Sequence, residues 1–102
     1  MQTLLDKNPF PDGVFCYNDP VAIGAMRAIL EVEFNLPDDI CVVGAGNIHY
    51  SDQVAVPLTT VDYPVTKVGR RAGELVEALI LDRAAKCDSK TFRPALVKRA
   101  ST

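Results

Sequence analysis

Two short segments contain residue types that could carry out chemistry. Gly44-x-Gly46 follows an apolar run and could begin a dinucleotide-binding fingerprint, but His49 occupies the third glycine position. His49, Ser51 and Asp52 are the residue types of a hydrolytic triad, but three neighbours in one loop cannot usually form the line that acyl transfer requires. We therefore predict a strand end that needs a permissive backbone, an exposed or interface loop, and no catalytic residue.

The other candidate groups are two adjacent carboxylates and three cysteines. Asp38 and Asp39 could form a paired-carboxylate site, but beside Pro37 they are more simply explained as a solvated turn. The cysteines lie far apart, at positions 16, 41 and 87, and the chain has one histidine. This spacing is not typical of zinc binding, and a disulfide framework is not expected. We predict no metal site and no cofactor.

Basic residues are concentrated on one predicted helix, where Lys67, Arg70 and Arg71 share a face by helical spacing. Glu74 and Glu77 offset them, which favours a solvated face over a nucleic-acid patch. The whole chain has 11 basic and 13 acidic residues and a net charge of -2. A surface that coats nucleic acid would need clustered excess cations.

The composition is typical of a globular chain of one domain or part of one. The 102 residues are 48% apolar and 24% charged, which is enough to build a core. The longest apolar stretches are far shorter than the about 20 residues of a membrane helix. Residues 1–13 lack a basic start followed by an apolar run, so no secretory signal is predicted and a cytoplasmic location is expected.

The first half of the chain predicts a strand, a helix and a strand. An apolar run at 14–17 predicts a buried strand, and the Asn-Asp-Pro that follows predicts a capped helix start. Apolar residues at helical spacing continue to residue 34, where Asn35 in the left-handed conformation and then Pro37 would end the helix. The apolar run at 40–43 predicts a second strand, parallel to the first.

The second half of the chain completes an α/β pattern. The remaining predicted elements are the end of a helix at 2–7, a third strand at 58–61, a helix from Pro64, a polar loop at 82–91 and a last strand at 95–97. The resulting order, β-α-β-β-α-β, defines the α/β class.

Four segments taken together are more informative than any one of them. They are DGVFCYNDPVAIGAMRAI, LPDDICVVGAGN, PLTTVDYPVTKVGRRAGELV and ALVKRAST. In this order and spacing, residues 8–102 resemble the lactose/galactose-repressor (LacI/GalR) family of bacterial regulators. The resemblance implies a partial type I periplasmic-binding-protein-like lobe, with a mostly parallel sheet flanked by helices. The match is to the C-terminal part of the effector domain, and nothing in the sequence resembles the helix-turn-helix headpiece.

The resemblance also implies ligand contacts at the cleft between the two lobes of that domain. Asn18 matches an effector-contacting position, although it could simply cap the helix. Tyr63 falls where the chain crosses between the lobes, and it could bind a ligand or pack. The family usually has G-[FY]-D-[DN] after the second strand, but here the aspartate position is Gly46. Without that carboxylate, the effector could be anionic, could be held through Asn47 or backbone amides, or could be absent.

A dimer interface is implied as well, formed by the first long helix and the loop after the second strand. The implied interface residues are Ile23, Met26, Arg27, Leu30, His49, Gln53 and Val54. Alternatively, Met26 and Leu30 face the chain's own sheet, because helical spacing does not separate the two possibilities.

The later helix gives a second reason for self-association, since its family partners belong to a first lobe that the 102 residues do not include. Its apolar face carries Val65, Val68, Ala72, Leu75, Val76, Leu79 and Ile80. We expect a homodimer or a larger oligomer.

These patterns predict the ligand-sensing and dimerising part of a LacI-family transcriptional regulator rather than an enzyme. Its partners would be a small-molecule effector, sugar-like in class, and a second copy. DNA would be reached only through a headpiece that this sequence lacks, and no membrane partner is expected. The alternative is a fragment of a sugar- or solute-binding protein of the same fold that serves transport.

Overall fold

A computed structural model describes residues 1–6, 11–83, 86 and 88–102. The predicted helix end at 2–7 and polar loop at 82–91 lie partly outside the described residues, and Cys87 lies wholly outside them. The elements are α1 (Gln2–Leu5), β1 (Gly13–Phe15), α2 (Asp19–Glu31), β2 (Cys41–Ala45), β3 (Thr59–Asp62), α3 (Val65–Leu81) and β4 (Ala95–Val97). The predicted order of strands and long helices, and the α/β class, are confirmed.

The four strands form one sheet in the order β1-β2-β3-β4. β1, β2 and β3 are parallel, and β4 is antiparallel to β3. This confirms the mostly parallel sheet that the resemblance implies. The register places Val14 beside Val42 and Gly44 beside Thr60. Because β1 and β2 run in the same direction, the segments that follow them begin at one edge of the sheet. Open α/β sheets bind their ligands at this edge.

α2 packs its apolar face on the sheet and builds the core. Asn18 caps the helix, and Pro20 lies in its first turn, as the sequence predicts. The buried apolar residues of the core are Cys16, Ala22, Ala25, Met26, Ile29, Ile40, Val42, Ala45 and Leu58. Full burial of a large aliphatic side chain contributes about 1.5–3 kcal/mol. This cluster is therefore the main source of stability for the sheet and α2.

α2 ends at Glu31, earlier than residue 34, and the predicted role of Asn35 was wrong. Glu33 takes the left-handed conformation instead, with φ of 64°. The Asn35 backbone amide and Nδ2 both donate to Asp39 Oδ2, at 2.7 and 3.0 Å. Asn35 is thus held in a local turn, which also contains the cis Leu36–Pro37 peptide bond. Asp38 and Asp39 thus lie in a turn, as the sequence predicts, with Asp38 exposed and Asp39 half-buried.

Gly44 and Ala45 belong to β2, whereas the sequence placed them in the following turn. A Cβ atom on Gly44 would collide with Asp19 Oδ1 and would lie 2.9 Å from Leu58 Cδ2. Gly44 is required because the buried Asp19 side chain crosses directly over the strand. The permissive backbone that we predicted is needed at Gly46, whose φ is 122°.

The chain divides into two compact units. The core unit comprises Met1–Asp62 and Ala95–Thr102, and the helical unit comprises Tyr63–Pro94. In the helical unit, α3 confirms the helix predicted from Pro64, but none of its residues is buried. Val65 is 70% exposed and Ile80 is 76% exposed. In the described part of the chain, no helix is long and apolar enough to cross a membrane.

Candidate functional site

Asn18 follows β1, at the edge where open α/β sheets bind their ligands. Its Oδ1 accepts a hydrogen bond from the Val21 amide at 2.9 Å, so the capping role considered from the sequence is observed. Its Nδ2 donor has no hydrogen-bond partner among the residues that the structure describes. The side chain can therefore cap α2 and still offer a donor to a ligand, and its ligand contact stays a prediction.

Asp19 fixes the position of Asn18 relative to the two neighbouring strands. Its side chain is fully buried and accepts hydrogen bonds from the Ile48 amide at 2.9 Å and from the Thr60 hydroxyl. The carboxylate thus ties the start of α2 to the segment after β2 and to β3. A buried carboxylate is tolerated when hydrogen bonds replace its water. Sequence reasoning missed this role because it treated Asp19 only as part of a helix start.

Gly46 and Asn47 follow β2 at the same edge. A side chain at Gly46 would have open space, since its nearest neighbour would be Ile48 Cγ2 at 3.9 Å. The obstacle is the backbone, because a residue other than glycine at φ of 122° costs about 1–3 kcal/mol. Gly46, at the position of the family's aspartate, therefore adopts a backbone conformation that would be strained for aspartate. The ligand contact of Gly46 stays a prediction.

Asn47 adopts φ of 47°, a left-handed conformation that asparagine tolerates. Its amide donates to the Thr60 hydroxyl at 3.3 Å, and its Oδ1 accepts from Arg99 Nη2 at 2.7 Å. The side-chain oxygen is therefore engaged within the protein. Its Nδ2 has no hydrogen-bond partner in the described ranges and could donate to an effector, and that contact stays a prediction.

Arg99 is the central cation of this region, and sequence reasoning did not find it. Its Nη1 donates to Ser51 Oγ at 3.0 Å and to the Leu58 carbonyl at 2.7 Å. Its backbone amide donates to Thr59 Oγ1 at 2.8 Å. Together with the Asn47 bond, these contacts hold both ends of the segment 47–58 between β2 and β3. A planar guanidinium suits this task because it presents several donors in fixed directions.

The three residue types of a triad do not form a catalytic arrangement. Ser51 is fully buried and its hydroxyl accepts from Arg99, whereas His49 is exposed and lies edge-on to the Tyr50 ring at 5.0 Å. The loop is thus a structural connection with an exposed tip. Among the described residues, no group of three metal-ligating side chains comes together.

Ser101 joins the chain's last residues to the middle of the sheet. Its Oγ donates to the Val42 carbonyl at 2.6 Å and accepts from the Thr59 amide at 2.8 Å. Its carbonyl accepts from the Val42 amide at 2.9 Å. Ser101 is fully buried, so these bonds satisfy backbone groups that water cannot reach.

The α2 groove is an apolar depression of about 500 Å³ in the core unit. It is lined by Ile23, Met26, Arg27, Leu30, Glu31, Val54, Ala55 and Val56. Five of the predicted interface residues lie here, while His49 and Gln53 lie outside the lining. Met26 is 4% exposed and packs in the core, but Leu30 is 41% exposed. Met26 therefore faces the chain's own core, whereas Leu30 does not, and the interface contact of both residues stays a prediction.

Two further side chains were considered in the sequence, Tyr63 as a ligand contact and Cys16 as one of the three cysteines. Tyr63 opens the helical unit and is 47% exposed, and its ligand contact stays a prediction. Cys16 is a buried free thiol, and Cys41 is a half-buried one. Burial raises the pKa of the Cys16 thiol above its ordinary value, because the thiolate would lose its hydration, and the N-terminal ammonium offsets only part of the rise.

The fold and the strand-end residues define a class, and comparison with known proteins establishes it. A model of the periplasmic binding protein-like domain matches residues 1–102, so the chain belongs to this family. The HTH-type transcriptional repressor PurR from Mannheimia succiniciproducens is 40% identical over 101 residues, which cover 99% of this chain and 30% of that protein. The chain therefore spans less than a third of the length of that relative.

Solved structures of LacI-type regulators share the fold of this chain. A LacI family transcriptional regulator from Enterococcus faecium with bound ribose has a TM-score of 0.88 at 29% identity, covering 99% of this chain and 37% of that one. The transcriptional regulator CelR in complex with cellobiose has a TM-score of 0.91 at 26% identity, covering 99% of this chain and 31% of that one. These relatives confirm the resemblance to the LacI/GalR family.

Proposed function

We propose that this chain is the C-terminal part of the effector domain of a LacI-family transcriptional regulator, where it senses a ligand and pairs with a second copy. The observation that carries the proposal is the Asp19 network. It holds Asn18 and the Gly46–Asn47 turn in fixed positions at the edge where parallel sheets bind ligands.

The ligand is a neutral or anionic small molecule of sugar-like class. Asn18 and Asn47 each use their Oδ1 within the protein, which leaves an amide donor on each for an acceptor oxygen. Gly46 contributes no carboxylate, so a bidentate contact to paired hydroxyls is not available at that position. Ribose and cellobiose bound to the two solved relatives support this ligand class.

The α2 groove is the surface that meets the second copy. Its apolar lining includes the exposed Leu30 and the half-buried Ile23 and Val54. An apolar groove left open to water is unfavourable, and a partner that covers it would stabilise it. Arg27 and Glu31 pair at 2.8 Å beside it, so the charges at this edge are already matched. His49 and Gln53 would extend the contact along the loop.

The same proposal implies that DNA is recognised by another part of the regulator, that the protein is cytoplasmic and that it is not an enzyme. The relative from Mannheimia succiniciproducens is an HTH-type transcriptional repressor, which supports a regulatory role. The 102 residues carry a net charge of -2 and no sequence that resembles a helix-turn-helix, so this segment would not bind duplex DNA by itself.

Two experiments test the proposal. The reading frame upstream of Met1 should encode the rest of an effector domain and a helix-turn-helix. An upstream frame that encodes a secretory signal would instead indicate a transport protein and would contradict the proposal.

Ligand binding is tested by titrating the chain with pentoses, hexoses and purines in a calorimeter. Weak or undetectable binding is expected, because one lobe supplies only half of the walls that enclose a ligand. Micromolar affinity for a neutral sugar would show that the site is complete within this chain and would contradict the two-lobe assignment.

A further inference from the structure

A basic groove lies within the helical unit and shares no lining residue with the candidate site described above. It has a volume of about 460 Å³. Its lining residues are Thr66, Lys67, Arg70, Arg71, Glu74, Lys90 and Phe92. The lining thus contains four cations and one carboxylate, an excess of three positive charges. The sequence showed the cations on α3, but the addition of Lys90 and Phe92 from the following segment is visible only in the structure.

Glu74 is the one carboxylate in the lining of this groove, and Asp88 lines a second depression that shares Arg71, Lys90 and Phe92 with it. Arg71 Nη1 lies 3.4 Å from Glu74 Oε2, a long ion pair, and Arg71 Nε is buried without a hydrogen-bond partner in the described part of the chain. An arginine carries five N–H donors, and leaving a buried one unpaired is unfavourable. A ligand with several acceptor oxygens would pair with the accessible donors of these side chains.

The start of α3 adds partial positive charge beside these side chains. The helix begins without a side-chain cap and without an acidic residue in its first turn. The amides of Thr66 and Lys67 have no hydrogen-bond partner in the described ranges. Free amides at a helix start favour an anion. Lys90 Nζ lies 5.5 Å from the centre of the Phe92 ring, which holds that cation at the groove.

We propose that the basic groove binds the phosphate group of a small molecule. A phosphate presents three or four acceptor oxygens and up to two negative charges, which match two arginine forks and two ammonium groups. The groove volume is in the range of about 300–1,000 Å³ that is typical of small-molecule sites. Glu74 within the lining and the negative net charge of the chain disfavour an extended polyanion such as duplex DNA. This site is independent of the proposed effector and dimer sites.

Pyrophosphate is the probe for the test, titrated into the ¹⁵N-labelled chain at constant ionic strength kept with sodium chloride. Saturable shifts are expected at the amides of Thr66, Lys67, Lys90 and Phe92. The Arg70→Gln variant should raise the dissociation constant about tenfold, the size expected for one charge-assisted hydrogen bond. The matched control is Lys98→Gln, which removes an exposed cation of the core unit and should change the dissociation constant by less than about twofold.

The variants distinguish a specific phosphate-binding site from general attraction between opposite charges. Arg71→Lys keeps the charge but removes the planar fork, and it should weaken pyrophosphate binding if the donors are used. Circular dichroism checks that α3 is retained in each variant. Shifts that do not saturate, or equal weakening by Lys98→Gln and Arg70→Gln, would overturn the proposal.

Two further titrations define the ligand class. Tighter binding of glycerol 3-phosphate than of inorganic phosphate would assign the site to phosphate esters, whereas equal binding would assign it to free phosphate, and both support a phosphate site. A short DNA duplex that binds these residues more tightly than pyrophosphate would show that the groove serves nucleic acid, and the proposal would be wrong.

Discussion

The core unit and the helical unit use the same kinds of residue in opposite ways. In the core unit, α2 buries Ala22, Met26 and Ile29 against the sheet, and Asp19 and Arg99 fix the connecting segments. In the helical unit, α3 is the longer and more strongly amphipathic helix, yet no residue of it is buried. Helical periodicity therefore determines that a helix forms, but it does not determine whether its apolar face has a partner within the same chain.

The largest expected difference between the units comes from truncating an apolar side chain in each. Ile29→Ala should lower the free energy of unfolding by about 2–5 kcal/mol, because it opens a cavity in a fully buried position. Val76→Ala, at a position that is 56% exposed, should change it by less than about 0.5 kcal/mol. Urea denaturation followed by circular dichroism measures both. Similar losses for the two variants would contradict the contrast between the units.

Glycine substitutions sharpen the comparison within the core unit. Gly44→Ala should cost about 2–3 kcal/mol, because the new methyl group would collide with the buried Asp19 carboxylate. Gly24→Ala is the matched control, since a Cβ there meets nothing within 4 Å, and it should stabilise α2 by about 0.5–1 kcal/mol. If Gly44→Ala is as stable as the parent chain, Asp19 does not cross β2 as described.

Arg99→Ala tests the connection between the chain end and the segment 47–58. It would leave the Leu58 carbonyl and the Ser51 hydroxyl without their donor, at an expected cost of about 1–2 kcal/mol. Lys98→Ala, at the adjacent exposed position, should stay within about 0.5 kcal/mol of the parent chain. Equal effects of the two substitutions would show that Arg99 contributes only its charge.

Self-association distinguishes the two exposed apolar surfaces. Light scattering after gel filtration should give at least twice the chain mass of 11.1 kDa at micromolar concentration. Ile23→Glu with Leu30→Glu should shift this assembly if the α2 groove carries it, and Leu75→Glu with Leu79→Glu should shift it if α3 does. A folded monomer would contradict the expectation of self-association.

The smallest expected effect concerns the Cys16 thiol. Because burial raises its pKa, its thiolate fraction at neutral pH is reduced, and it should react with iodoacetamide more slowly than Cys41. The stabilising effect of the neutral thiol is complete below the unfolded-state pKa and is lost as pH rises through the folded-state pKa. Mass spectrometry of peptides from the native Cys87→Ser variant measures the two rates. Faster modification of Cys16 would indicate that the core opens readily.

Elements defined by local signals could be predicted from the sequence. The Asn18 cap, α3 and the bounds of β4 were all found, because each depends on neighbouring residues. Arg99 could not be found in this way, since its side chain bonds to residues 41–52 positions earlier. Local sequence patterns do not predict which distant loop an arginine side chain will contact. The α2 groove was anticipated only through the family resemblance, and its occupant remains a proposal.

The bonds of Ser101 have a consequence for the order in which this chain can fold. Its hydroxyl donates to the carbonyl of Val42, a residue 59 positions earlier in the sequence. The whole helical unit lies between these two residues in the sequence and is therefore synthesised before Ser101. The Val42 bonds to Ser101 and the pairing of β3 with β4 can therefore form only after that unit has been synthesised, and β3 is an unpaired edge of the sheet until then. Pairings of such long sequence separation slow folding. Until β4 is synthesised, the open edge of β3 is a surface on which the strand of another chain can pair.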